Sequence, residues 1–160
     1  MAAHDITDQS SFTAIGAALL TTVEGAVPKL RAMSESRAER PRAPGKWSPK
    51  QVIGHLIDSA SNNHQRFVRA QEGTAFTGLR YEQDHWVAVQ GYQESDWDDL
   101  IVLWRAYNRH LAQVIERIPE GKRGTPVTLG SNEPVTLGFL AYDYVSHLRH
   151  HLAQADALPE

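Results

Sequence analysis

The sequence predicts an all-α protein, a four-helix bundle with a long loop after its second helix and a short hairpin before its fourth. Three observations predict it. Four segments place apolar residues at spacings of three and four, the mark of one helical face. Those segments begin or end on residues that cap or stop a helix, and the stretches between them concentrate Gly, Pro and charge. At 160 residues the chain suits one domain, on a scale of roughly 100–200 residues each. Residues 1–160 therefore read as a single unit whose core can stand without cross-links.

The first helix falls within residues 8–34, where Phe12, Ile15, Leu19, Val23, Ala26, Val27 and Leu30 form a stripe. Pro28 is placed to kink or end it. Residues 37–45, with two prolines among charges, read as a surface connector. In the second helix Ser48 is the N-cap, Pro49 the first helical residue and Gln51 the partner in a capping box; the helix runs to about Gln71. Residues 73–93 hold no sustained period and read as a loop with one short helix near residues 84–89. Loops of that length in compact domains are commonly functional. The third helix opens at Ser95, with Asp96, Asp98 and Asp99 where the helix dipole favours anions, and continues through Leu100, Trp104, Leu111 and Ile118 to Pro119. Pro-Val-Thr-Leu-Gly then occurs at residue 126 and again at residue 134. The first copy reads as a strand of a hairpin, and the second delivers Thr136 as N-cap of the fourth helix, striped by Leu137, Leu140, Ala141, Tyr144, Leu148 and Leu152.

Composition excludes several kinds of chemistry. With no cysteine there is no disulfide, thiolate nucleophile, iron–sulfur cluster or zinc finger, so any metal must sit on nitrogen and oxygen. A net charge of −3 argues against nucleic-acid binding, which needs a basic face. No apolar run approaches the roughly 20 residues of a membrane span. Met1 to Asp5 do not open a secretory signal, so a cytoplasmic location is the expectation. No Gly-x-Ser-x-Gly elbow surrounds Ser59, and Gly45-Lys46-Trp47-Ser48 lacks the spacing of a phosphate-binding loop.

The eight histidines are the anomaly. At about 100° per residue from Leu137, His151 falls near −40° and His147 near −80°, along one edge of the buried stripe, while His150 near −140° faces outward. The i, i+4 pair can offer two imidazoles to one ion. The second helix carries a polar stripe of His55, Ser59, Asn62 and Arg66 beside Val52, Ile53 and Leu56. Such a stripe inside a bundle needs its groups satisfied, and a bound ion with water would do so. His55, His147 and His151 thus form a candidate three-histidine set with a coordination position left open, which is a catalytic pattern. From spacing alone, an ordinary polar edge is the commoner explanation of such a pair. His110 reads as a surface or satisfied residue, and Trp47, Trp86, Trp97 and Trp104 as packing.

Two segments resemble a known family. Lys46-Trp-Ser-Pro-Lys-Gln-Val-Ile-Gly-His-Leu-Ile-Asp-Ser, followed by Asn62-Asn-His-Gln-Arg-Phe, is similar to the second helix of the DinB/YfiT-like superfamily, especially its YfiT-like branch. Ser146-His-Leu-Arg-His-His-Leu-Ala-Gln is similar to its last helix, and Tyr81-Glu-Gln-Asp-His-Trp to its loop after helix two. The resemblance implies a four-helix bundle, commonly a homodimer, with a divalent metal, usually Ni2+ or Zn2+, held by three histidines. Residue by residue these fall on His55, His147 and His151. It also implies a small-molecule substrate and either transfer of a low-molecular-weight thiol or hydrolysis. Where relatives carry a His-His pair on helix two, this chain has Gly54-His55. On the helical stripe Arg66 is a candidate to orient an anionic substrate, and Asp58 and Tyr81 are candidates for supporting contacts or proton transfer. A non-catalytic dimeric bundle that binds metal or ligand is the alternative.

Overall fold

The structure, a computed structural model, describes residues 5–157; Met1 to His4, read above for a secretory signal, lie outside them. In chain order the elements are α1 (Phe12–Ala32), α2 (Glu35–Ala38), α3 (Pro49–Arg69), β1 (Phe76–Gly78), α4 (Gln83–Val89), a 3-10 turn (Tyr92–Glu94), α5 (Trp97–Glu116), a second 3-10 turn (Glu120–Lys122), β2 (Pro126–Leu129), β3 (Val135–Thr136) and α6 (Leu137–Gln154). The four long helices are those expected. Each begins on a side-chain cap: Ser11, Ser48, Asp96 and Thr136 accept from the backbone N–H groups of Ala14, Gln51, Asp99 and Phe139. Ser48 and Gln51 complete the capping box.

The long helices close into a ring. α1 packs mainly on α5, α5 on α3, α3 on α6 and α6 back on α1. Phe12, Ile15, Leu19, Ile53, Leu56, Phe67, Trp104, Leu111 and Ile115 fill its centre and are fully buried. Truncating one of these leucines to alanine costs about 2–5 kcal/mol, the lost transfer energy plus the cavity left behind.

Three details differ from the sequence expectation. α1 runs through Pro28 to Ala32, because Pro28 lies on the exposed face and costs only one backbone bond. α5 begins at Trp97, capped by Asp96, two residues after the expected opening at Ser95. The hairpin gains a third strand: β1 pairs parallel with β2, Phe76 beside Val127, and β2 pairs antiparallel with β3, Val127 beside Val135. This small sheet ties the connection after α3 to the one before α6. Gly130, at the hairpin turn with φ +62°, donates its N–H to Gly78 O at 2.9 Å. An L side chain rarely adopts that φ.

Candidate metal centre

His55 is fixed by a capped helix and His147 and His151 by the helix packed against it, so periodicity within each helix sets which side chains face the seam. The structure brings all three together. His147 Nε2 lies 3.3 Å from His55 Nε2 and 3.1 Å from His151 Nε2, and the ring centroids of the three stand 4.5–5.1 Å apart. A ring nitrogen offers one proton or one lone pair, so His147 Nε2 cannot be matched to both neighbours at once. A cation can be matched to all three. Nitrogens about 2.0–2.1 Å from one ion in tetrahedral directions stand about 3.3 Å apart, close to the spacing found here. The cluster therefore fits a metal site.

Protonation favours the same reading. Burial, reinforced by the neighbouring imidazoles, pushes His55 down to about 3 and His147 down to about 4. Burial also lowers His151, against a bond to Gln154 that raises it. All three are neutral at pH 7, with lone pairs available for an ion. His151 Nδ1 lies 2.9 Å from Gln154 Oε1, and an amide oxygen only accepts, so the His151 proton sits on Nδ1 and its Nε2 lone pair faces the cluster. Gln154 Nε2 in turn lies 2.9 Å from His150 Nε2 on the outer face. His55 Nδ1 is buried without a protein partner.

Trp47, assigned from sequence to packing, lies against the cluster. Its ring centroid is 4.9 Å from His55 and 6.2 Å from His151. It comes from the segment before α3, where no period exists to reveal which way a side chain faces. The signal that could have found it is its adjacency to the Ser48 cap, which holds it at the start of the helix bearing His55.

Asp58 is buried one turn beyond Gly54. Its Oδ1 accepts from Tyr92 Oη and Gln90 Nε2, each at 2.6 Å, while Oδ2 has no protein partner. Burial holds its carboxyl above the usual range despite those bonds. Gly54 makes the arrangement possible, since a Cβ there would meet the Tyr92 ring at 2.1 Å. The glycine that departs from the His-His pattern is thus the gap through which Tyr92 reaches Asp58.

Two cavities flank the triad. One, of about 260 Å³, is lined by His147 together with Ser59, Asn63, Arg66, Tyr81 and Asp143. The other, of about 540 Å³, is lined by His151 together with Arg42, Lys46, Trp47, Val52 and Asp84. Arg66 and Tyr81 therefore share the first cavity, as candidates for substrate contact, whereas Asp58 lies behind it in its own hydrogen-bonded network. Burial pushes the Tyr81 hydroxyl up to about 12, aided by the Asp58 carboxylate and opposed by Arg66 and a bond to Ser59. Asn62, expected on the polar stripe, bonds back to Asp58 O at 2.9 Å, and Asn63 takes its place in the cavity wall. His110, expected to have no histidine neighbour on its own helix, meets His64 of α3 across the bundle, with ring centroids 5.2 Å apart. Asp96 caps α5, accepting from the Asp99 N–H at 3.0 Å, and Asp98 and Asp99 lie in its first turn as expected.

Comparison with known proteins agrees with this architecture. The solved structure of YfiT from Bacillus subtilis, described as a probable metal-dependent hydrolase with an unusual four-helix bundle topology, superposes with a TM-score of 0.78 at 20% identity. The match covers 96% of this chain and 87% of that one, and it establishes the four-helix-bundle fold. No curated protein matches the chain. The model of the DinB superfamily matches residues 19–155, which include α3, α6 and all three clustered histidines. The chain belongs to the DinB superfamily.

Proposed function

We propose that this protein is a divalent-metal-dependent enzyme whose ion, Zn2+ or Ni2+, is held by His55, His147 and His151, and that it acts on a small-molecule substrate. The convergence of three neutral imidazole nitrogens on one point carries the proposal. When bound, a metal with three protein ligands and an open position supplies Lewis-acid chemistry, lowering the pKa of bound water or of a thiol. The protein's own groups do the rest. Gln154 fixes the His151 tautomer, Trp47 shields one side of the triad from water, and Arg66 and Tyr81 face the reactant from the first cavity.

Transfer of a low-molecular-weight thiol is the reading we favour, because one cavity bordering His147 and another bordering His151 give each of two reactants a place. Hydrolysis is the second reading, supported by the description of YfiT. We further propose that the enzyme works as a cytoplasmic homodimer, which light scattering of the purified protein tests for assembly.

Elemental analysis of untagged protein purified without chelator tests the centre. We expect near-stoichiometric zinc or nickel in the parent and its loss in His55→Ala and His151→Ala. A parent that is metal-free and also refuses added zinc, nickel and manganese overturns the enzyme reading and leaves a binding module. With cobalt in the site, a spectral change on adding low-molecular-weight thiols supports transfer, and no change with any of them favours hydrolysis.

A further inference from the structure

The first cavity contains more positive charge than its own structure uses. Arg66 reaches it from α3 and donates to Leu79 O at 3.2 Å and to Asn63 Oδ1 at 3.4 Å, both neutral acceptors. Arg80 reaches it from the segment after β1 and donates to Asn132 Oδ1 at 3.4 Å, again neutral. Among the described residues neither guanidinium has a carboxylate within ion-pairing distance, whereas Arg105, Arg109 and Arg123 are paired with Glu24 or Glu120. Burial lowers the Arg66 pKa, with Tyr81 raising it and the Arg80 charge lowering it.

Their positions are set by the small sheet. The Leu79 carbonyl that holds Arg66 follows β1, and the hairpin turn at Gly130 lies over Arg80, where an added Cβ would sit 3.3 Å from the Arg80 side chain. Two like charges held this way, facing a shared space, are stabilised by an anion between them. Asp143 lies on the same wall, its carboxyl held above the usual range by burial alone, with no contribution from either arginine. Two guanidiniums and one carboxylate leave a single net positive charge, which suits a monoanion better than a dianion.

We propose that this cavity seats the carboxylate of a small organic acid on Arg66 and Arg80, with the rest of the molecule directed toward His147. The two planar forks match a carboxylate. A volume of about 260 Å³ equals that of about eight or nine waters at roughly 30 Å³ each, enough for a short aliphatic or single-ring acid. Which end of the molecule reacts rests on the metal-centre reading above; the anion seat itself does not.

The test is calorimetric titration of the full chain, metal-free and zinc-loaded, with propionate and benzoate, their neutral amides, and inorganic phosphate. Both acids are expected to bind the metal-free protein, the amides and phosphate at least tenfold more weakly. Arg66→Gln and Arg80→Gln are each expected to weaken benzoate by about 10–100-fold, the loss of charge-assisted hydrogen bonds. Arg80 is exposed, so its variant keeps the test open should Arg66→Gln disturb the Leu79 contact. Amides that bind as well as acids, or both variants binding benzoate like the parent, overturn the proposal. Phosphate binding as tightly as benzoate overturns the carboxylate assignment. Loss of binding in Arg42→Gln but in neither of the other variants places the anion in the second cavity and also overturns it. Failure of the metal centre is visible separately: acids would still bind the metal-free protein while zinc is refused.

Discussion

His55, His147 and His151 meet between α3 and α6, whereas His64 and His110 meet between α3 and α5 beside Tyr107. Ring proximity does not distinguish the two places, since centroids stand 4.5–5.1 Å apart in the first and 5.2 Å in the second. Satisfaction does. His64 Nδ1 has the Tyr107 hydroxyl at 3.2 Å, and His110 is exposed to water. In the triad three nitrogens face one point that protein atoms alone cannot satisfy, and a glutamine behind His151 fixes which nitrogen faces inward. A histidine cluster becomes a candidate centre through what its nitrogens lack, more than through how closely its rings approach.

The largest effect that would break this contrast is removal of one inward nitrogen. His147→Ala is expected to lower zinc affinity at least about a hundredfold, since losing an outer partner alone costs about 10–100-fold. His64→Ala and His110→Ala are expected to leave it unchanged by competition with a fluorescent chelator. Equal losses at both places would erase the distinction.

Gln154→Ala is the next test, because it keeps all three imidazoles and frees only the His151 tautomer. An affinity loss of about 10–100-fold is expected, with Gln154→Glu recovering most of it. Tyr92→Phe probes the layer beneath: it removes one donor from buried Asp58, and chemical denaturation should show a loss of about 1–3 kcal/mol with little change in zinc affinity.

The pH dependence sharpens the comparison further. His55 and His147 refuse protons in the folded state down to about 3 and about 4, whereas the unfolded chain accepts them near its ordinary value of about 6.5. Their contribution is therefore harmless above about 6.5. Below it, metal-free protein loses stability as pH falls toward about 4, by at most about 1.4 kcal/mol per pH unit for each histidine. Urea midpoints measured in steps from pH 7 to pH 4 check this, and His55→Ala should flatten the slope.

The three histidines were legible because their information is local. Caps at Ser48 and Thr136 fix where α3 and α6 begin, and a period of 3.6 then decides which side chains share a face. Trp47 was not legible, since the stretch before a cap has no period. Asn62 lies on the stripe and Asn63 beside it, and only the position of α6 and the sheet decides that Asn63 lines the cavity. β1 is three residues long, too short for alternation to register, and it is a strand because β2 offers it an edge. The contact of His64 with His110 spans two helices, beyond what a wheel drawn for one of them can reveal.

The pairing of Phe76 with Val127 joins residues separated by the whole of α4 and α5 and their connections. Helical turns close over a few residues, whereas this register requires a long loop to be closed, as do the contacts of α3 with α6. Arg66 and Arg80 are steadied by the same segment, so the wall of the first cavity depends on that long-range pairing. β1 is the edge of the sheet that faces this wall, while β2 is anchored to the bundle through buried Val127. A substitution in β1, whose residues are only partly buried, is expected to change how readily the first cavity is entered more than it changes the melting temperature, whereas one at Val127, buried in the core, changes both.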